Sequence, residues 1–189
     1  MLTNVGCAAF PFISACLFRS PPATVYPMPE IPHTPKDQNI ENLAPQINGR
    51  LGGWAAAMHL HFLHATGDQV IAELEVGPVH HQAYGIVHGG VYAGMIESVA
   101  SVGAALWARR YNQTVVGLEN QTSFLVATRE GRLTATALPL MRGRRTQVWQ
   151  AKVTNEKGQT VAEGKVRLIS LDQGAAIAGE TVQLKNSDG

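Results

Sequence analysis

At 189 residues the chain fits one ordinary domain with tails, and its length argues against a second full core. Apolar residues make up 45% and charged residues only 15%, so much of the surface is expected to be buried, in part against other copies of the subunit. The formal net charge is +1, and Lys and Arg are scattered apart from one short cluster; this argues against a nucleic-acid partner, which needs a concentrated basic face.

In chain order, Cys7 and Cys16 both fall in the first twenty residues. The rest of the chain therefore has neither an internal disulfide nor a thiolate metal site, as suits a reducing, cytoplasmic protein. Met1 to Phe18 is apolar but lacks the Lys or Arg expected before a signal core. The reading favoured is an upstream start with Met28 as initiator. An exported or lipidated form, suggested by Ile13-Ser14-Ala15-Cys16, and a disordered arm are the alternatives; no membrane association is expected. Six prolines between Pro21 and Pro35 make residues 20–36 a stiff extended arm. Residues 37–50 can hold a short helix, interrupted at Pro45 and ended by Asn48-Gly49. Residues 1–51 are thus an N-terminal extension, 52–172 the domain, and 173–189 a small, polar, flexible tail.

Met58 to His64 and Val70 to Val76 read as two strands around Thr66-Gly67-Asp68, a hairpin signal. An irregular stretch, Gly77 to Val87, follows. Val91 to Arg110, opened by Gly89-Gly90 and closed by two arginines, is the one long helix. Four β-rich segments come after it: Thr114 to Phe124, Arg132 to Met141, Thr146 to Thr154 and Thr160 to Ser170. Segregated strands around one helix predict an α+β fold, an antiparallel sheet wrapped around a central helix.

On that helix Gly90, Ala93, Gly94, Glu97, Ser101 and Ala104 share a face. The face is small-sided, which permits close approach of another backbone, and it carries a single carboxylate with no Lys or Arg one turn away. An unpaired, partly buried carboxylate is a candidate for catalysis; the bland alternative is a glutamate at the rim, facing water. At the helix start, His88-Gly89-Gly90 leaves backbone N–H groups without intrahelical acceptors at the positive end of the dipole. Such a start can hold a carbonyl oxygen that turns negative in a transition state, although a Gly pair also serves simple packing. Gly89 and Glu97 lie roughly 12 Å apart along the axis at 1.5 Å per residue, too far for one helix to supply both groups to one carbon. Two antiparallel copies could, with Glu97 of one beside Gly89 of the other, so an active site shared across a dimer is expected.

Gly85-Ile86-Val87-His88-Gly89-Gly90-Val91, with Glu97 nine residues after His88, resembles the signature of hotdog-fold acyl-CoA thioesterases, and the likeness runs over about 52–171. It is most similar to the branch acting on aromatic acyl-CoAs, such as 4-hydroxybenzoyl-CoA and 1,4-dihydroxy-2-naphthoyl-CoA. That branch has a Gln six residues before the motif His, a Glu nine after it and a Ser or Thr four further on; Gln82, Glu97 and Ser101 stand there. The phenylacetate-pathway branch instead uses an Asn and an Asp. The resemblance implies that the Gly89 N–H polarises the thioester carbonyl, Gln82 orients it and His88 fixes the loop. It implies that Glu97 acts as nucleophile or general base and that Ser101 bonds Glu97 or its water. It further implies a homodimer or homotetramer, with coenzyme A entering only as part of the substrate. No metal or other cofactor is expected, because a thioester is already activated. Arg144, Arg145 and Thr146 stand where the resembling enzymes hold the nucleotide. Gly90, Tyr92, Met95 and Phe124 are candidates for contacts to the acyl or CoA portions, the last three serving equally well as core.

His59 and His61 fall on one face of a regular strand and His64 on the other, too few ligands for a metal site. A non-catalytic acyl-CoA-binding module would use the same fold without turnover, and a dehydratase of the same fold would differ around its catalytic His and acid.

Overall fold

The computed structural model describes residues 41–181. The expectations for the apolar start, the cysteines, the proline arm and Met28 fall outside that range, as do residues 182–189. The described part opens with two short helices, α1 (Ala44–Asn48) and α2 (Gly53–Ala57), and the hairpin β1 (His61–Ala65) and β2 (Val70–Glu75). The long helix α3 (Gly89–Ala108) follows, then β3 (Gln113–Phe124), β4 (Arg132–Arg142), β5 (Thr146–Asn155) and β6 (Thr160–Asp172). The six strands form one antiparallel sheet in the order β1-β2-β4-β5-β6-β3, which wraps α3. That is the predicted α+β architecture.

The core lies between helix and sheet. Val91, Met95, Ile96 and Val99 of α3 are buried against Leu74, Leu133, Val153, Val166 and Leu168 of the strands. Residues 89–111 are apolar and long enough to cross a bilayer, but here the apolar stripe serves the core of the sheet. Glycines let aromatic rings close onto the helix. A Cβ on Gly103 would come within 2.5 Å of the Trp149 ring, and one on Gly94 within 2.3 Å of Trp54. The small-sided face predicted to admit another backbone thus takes an indole from α2 at Gly94.

Three boundaries differ from the sequence reading. Pro45 sits in the first turn of α1, where its missing N–H costs nothing, instead of interrupting a longer helix. Residues 42–51 belong to the same compact unit as the sheet. Asn48 bonds both the N–H and the C=O of Phe62 at 2.9 and 2.8 Å, and Asn42 accepts from Ala65 N–H and donates to Leu63 C=O, so the segment covers the β1 edge. At the other end, Ala176–Ile177 (β7) and Glu180–Thr181 (β8) form a small hairpin in what reads as a loose tail.

The first strand also starts later than expected. Met58 caps α2, His59 has a left-handed φ of 54°, and β1 begins only at His61. A bulge at Leu63 then shifts the pairing from Phe62↔Ala72 to His64↔Ile71. The inserted residue places His61 and His64 on the same outward side, with Phe62 and Ala65 buried. The alternation argument from the sequence put these histidines on opposite faces because it assumed no bulge.

Candidate functional site

The loop before α3 is held rigidly. The His80 ring is buried; its Nδ1 accepts from Gly77 N–H at 2.9 Å and its Nε2 donates to Met58 C=O at 2.9 Å. Both ring nitrogens are thereby used structurally, which fixes the tautomer. His81 and Val87 bridge across the loop, Gln82 N–H donates to Ile86 C=O at 2.9 Å, and Val87 N–H donates to Thr128 C=O at 2.8 Å. The Arg129 guanidinium donates to the carbonyls of Tyr84 and Gly85, where Gly85 takes a φ of 68°. This frame presents Gln82, half-buried, beside the chain that enters the helix.

His88 is the N-cap of α3. Its Nδ1 accepts from Gly90 N–H at 2.9 Å, and its carbonyl accepts from Val91 N–H at 2.9 Å. The N-terminal amides are thus not all available. Gly90, expected to contact the ligand, has its N–H committed to His88. The Gly89 N–H, as the first helical amide, has no intrahelical acceptor, and none is made for it among the described residues. One directed donor remains at the positive end of a helix 20 residues long.

Glu97 lies two turns further on, half-buried. Its Oε1 accepts from Ser101 Oγ at 3.2 Å, as the spacing of those two residues predicts. Its Oε2 accepts from Asn120 Nδ2 at 2.9 Å, and the same amide group donates to Ala93 C=O at 3.1 Å. Thr122 Oγ1 in turn donates to Asn120 Oδ1 at 2.6 Å. Among the described residues no cation pairs with Glu97. The carboxylate is held by neutral donors, one on its own helix and one on β3.

Asn120 and Thr122 are absent from the sequence-derived site. The signal was the polar run Glu119-Asn120-Gln121-Thr122 in a strand, but which of the four faces the helix cannot be read from alternation, because β3 bulges at Leu118.

β3 runs back along α3, so Phe124 reaches the helix start, where a Cβ on Gly89 would lie 2.6 Å from the Phe124 ring. The Phe124 ring is 57% exposed and meets Tyr92 at a centroid distance of 6.0 Å. Tyr92 and Met95 themselves are enclosed, at 3% and 0% exposure. Both fall on the sheet-facing stripe of α3, so of the three predicted acyl contacts only Phe124 offers surface in the single chain. Burial pushes the Tyr92 phenol up from its ordinary value, with Thr128 opposing less strongly.

The basic cluster divides. Arg142 is committed to the fold: it donates to Gly67 C=O at 2.8 Å, pairs with Asp68 and stacks 3.9 Å from the Trp107 ring. Arg144 and Arg145, in the β4–β5 turn, are exposed and line a groove of about 310 Å³ with Gln113, Ser170 and Asp172. Thr146 opens β5 at the edge of that turn, paired with Ile169.

Residues 84–162 match the family model of the thioesterase superfamily. The Mycobacterium tuberculosis protein Rv1847 (strain H37Rv), named as an unproven esterase, is 42% identical over 115 residues, or 60% of this chain and 82% of that one. A solved structure of that protein superposes with a TM-score of 0.62 at 40% identity, covering 63% of this chain and 96% of the other. The 1,4-dihydroxy-2-naphthoyl-CoA hydrolase of Escherichia coli K12 is 32% identical over 115 residues, 61% of this chain and 84% of the relative. The solved thioesterase HI1161 of Haemophilus influenzae superposes with a TM-score of 0.63 at 26% identity, covering 72% of this chain and 93% of the other. A sheet wrapped around one helix, with a free amide at the helix tip and a carboxylate two turns along it, thus sits in a sequence that belongs to the thioesterase superfamily: the chain is a hotdog-fold thioester hydrolase.

Proposed function

We propose that the protein hydrolyses an acyl-CoA thioester, preferentially one with an aromatic acyl group, at a site shared by two copies of the chain. The observation that carries this reading is that one α3 helix offers both an amide, Gly89 N–H, uncommitted among the described residues, and a carboxylate, Glu97, held among them by neutral donors. Gly89 N–H receives the carbonyl oxygen as it becomes negative, aided by the helix dipole. Glu97 either attacks the carbonyl carbon, expelling CoA as thiolate and leaving a mixed anhydride for water to cleave, or takes the proton from an attacking water. Gln82 orients the carbonyl and Ser101 steadies the carboxylate. The reading calls for no cofactor beyond the CoA of the substrate and places the reaction in the cytoplasm. The aromatic preference is supported by the name of the Escherichia coli relative and by the Gln82–His88–Glu97–Ser101 spacing.

Distance supports a shared site. Two groups roughly 12 Å apart along one helix cannot both reach one carbon. β3 is an edge strand 12 residues long, with Leu118 54% exposed and Phe124 57% exposed. A long, partly apolar edge of this kind is a template for pairing with another chain. Two β3 edges paired antiparallel about a twofold axis would set the two α3 helices side by side in opposite directions, bringing Glu97 of one toward Gly89 of its partner.

The test is thiol release from a panel of aryl- and alkyl-CoA esters by the wild type and Glu97→Ala. Aryl-CoA turnover is expected to fall by roughly a hundredfold or more in the variant, with the fold intact. Undiminished turnover would move the carboxylate role elsewhere. Label found in Glu97 after a single turnover in ¹⁸O-water identifies the anhydride route with water attacking at the Glu97 carbonyl, since general-base attack puts the label in the released acid alone.

A further inference from the structure

In a regular strand, Val115, Gly117 and Glu119 would share one face, and Asn120 would point away from the helix. Here the pairing with β6 steps from Gly117↔Leu168 to Glu119↔Arg167, with Leu118 as the extra residue. Leu168 and Val166 are both buried beneath the helix, and after the bulge Asn120 is the residue opposite Val166. The insertion therefore turns Asn120 and Thr122 toward α3, a recurrent use of bulges to re-aim side chains.

Their contacts are directional. Ala93 C=O can only accept, so the Asn120 atom 3.1 Å from it is the amide nitrogen, and the second hydrogen of that nitrogen goes to Glu97 Oε2. Thr122 Oγ1 meets Oδ1 on the far side, and Gly164 on β6 leaves it room, since a Cβ there would lie 2.9 Å from that hydroxyl. The other carboxylate oxygen rests against backbone: a Cβ on Gly117 would come 2.7 Å from Glu97 Oε1. A three-carbon carboxylate arm is thus bounded on one side by a missing side chain and on the other by a donor that cannot be reversed.

We propose that Gly117, Asn120 and Thr122 form a cradle, created by the Leu118 bulge, that fixes where the Glu97 carboxylate points, and that Asn120 is a positioning residue for thioester hydrolysis. The proposal rests on the assignment of Glu97 as the reacting carboxylate. Asn120 touches neither the thioester nor water in this role; it acts through Glu97, holding the oxygens in the attacking direction before substrate arrives. Because Asn120 is exposed in the single chain, its removal loosens the carboxylate without opening the core.

The experiment compares steady-state kinetics and thermal midpoints of Asn120→Ala, Asn120→Asp and Gly117→Ala, with Asn120→Ala also made in the Glu97→Ala background. Turnover with an aryl-CoA is expected to fall roughly tenfold to a hundredfold in Asn120→Ala and Gly117→Ala, with the KM changed by less than about threefold. Asn120→Asp, equal in shape, should be worse than alanine, because it sets an oxygen against both Ala93 C=O and Glu97 Oε2. In the Glu97→Ala background Asn120→Ala should cost nothing further, and midpoints should stay near the parent's. Wild-type turnover in Asn120→Ala and Gly117→Ala beside an inactive Glu97→Ala overturns the cradle alone. So does an unchanged loss from Asn120→Ala once Glu97 is gone. Wild-type turnover in Glu97→Ala itself overturns the functional reading and the cradle with it.

Discussion

The ring of Phe124 occupies the space that any side chain on Gly89 would need, with Cε2 and Cζ 2.6 and 2.8 Å from the position of an added Cβ. The strand that contacts Glu97 through Asn120 therefore closes over the helix tip through Phe124, and one edge strand contacts both ends of the proposed chemistry. Gly89→Ala must push the ring aside or tilt the amide. Since Phe124 is 57% exposed in the single chain, displacing its ring opens no core, and the expected result is a turnover loss of roughly tenfold or more with little change in thermal midpoint. Parallel measurement of both quantities checks this; a large drop in midpoint with normal turnover per folded enzyme would make Gly89 a packing residue only.

Mixed subunits test the shared site. Glu97→Ala and Gly89→Val chains, each inactive alone, are expected to regain activity when assembled into mixed dimers. One of the two sites then combines an intact Gly89 from the first chain with an intact Glu97 from the second. Mixed dimers as inactive as the parents would place both groups in one chain's site. Leu118→Asp, on the open β3 edge, should dissociate the assembly and abolish turnover together, read by light scattering and thiol release over a concentration series.

The basic cluster should separate by property. Arg144→Ala and Arg145→Ala are expected to raise the KM for CoA esters several-fold more than they lower turnover, as loss of phosphate contacts would. Arg142→Ala is expected to lower stability by about 1–3 kcal/mol, through loss of the Trp107 stacking and the Gly67 carbonyl bond, with the KM unchanged. Kinetics and denaturant unfolding on the same three variants decide it.

Tyr92 should carry an alkaline stability limb. Its phenol ordinarily titrates at 10.0, and burial raises that value in the folded state. The folded chain therefore holds the proton more tightly than the unfolded chain, and stability falls as pH rises from about 10 through the raised value. Tyr92→Phe is expected to flatten that limb. At neutral pH it should change stability by less than about 1 kcal/mol, because the buried hydroxyl makes no hydrogen bond of normal geometry among the described residues. An unchanged alkaline limb in chemical unfolding would show that the phenol does not titrate with the fold.

Much of the site was legible because it is local. Ser101 bonds Glu97 one turn away, and His88 caps its own helix through Gly90, and both contacts are fixed by helical spacing. The long helix and the four strand segments that follow it were legible through period and turn residues. What failed was regular alternation. The bulge at Leu63 rearranged the histidines of β1, and the bulge at Leu118 hid Asn120 and Thr122. A bulge adds one residue to one strand only, so it exists in the pairing between two segments and leaves no mark in either.

By itself the sequence determined the long helix and most of the strands, and which groups that helix carries: a glycine tip and a carboxylate at fixed pitch beyond it. Those follow from interactions within a few residues. Tertiary structure decided what surrounds them: that Gly90's amide is spent while Gly89's is not, that Tyr92 and Met95 face the sheet, that Arg142 belongs to Trp107, and that a neutral amide from a distant strand holds Glu97. Long-range packing selects among faces and partners that local spacing leaves equivalent.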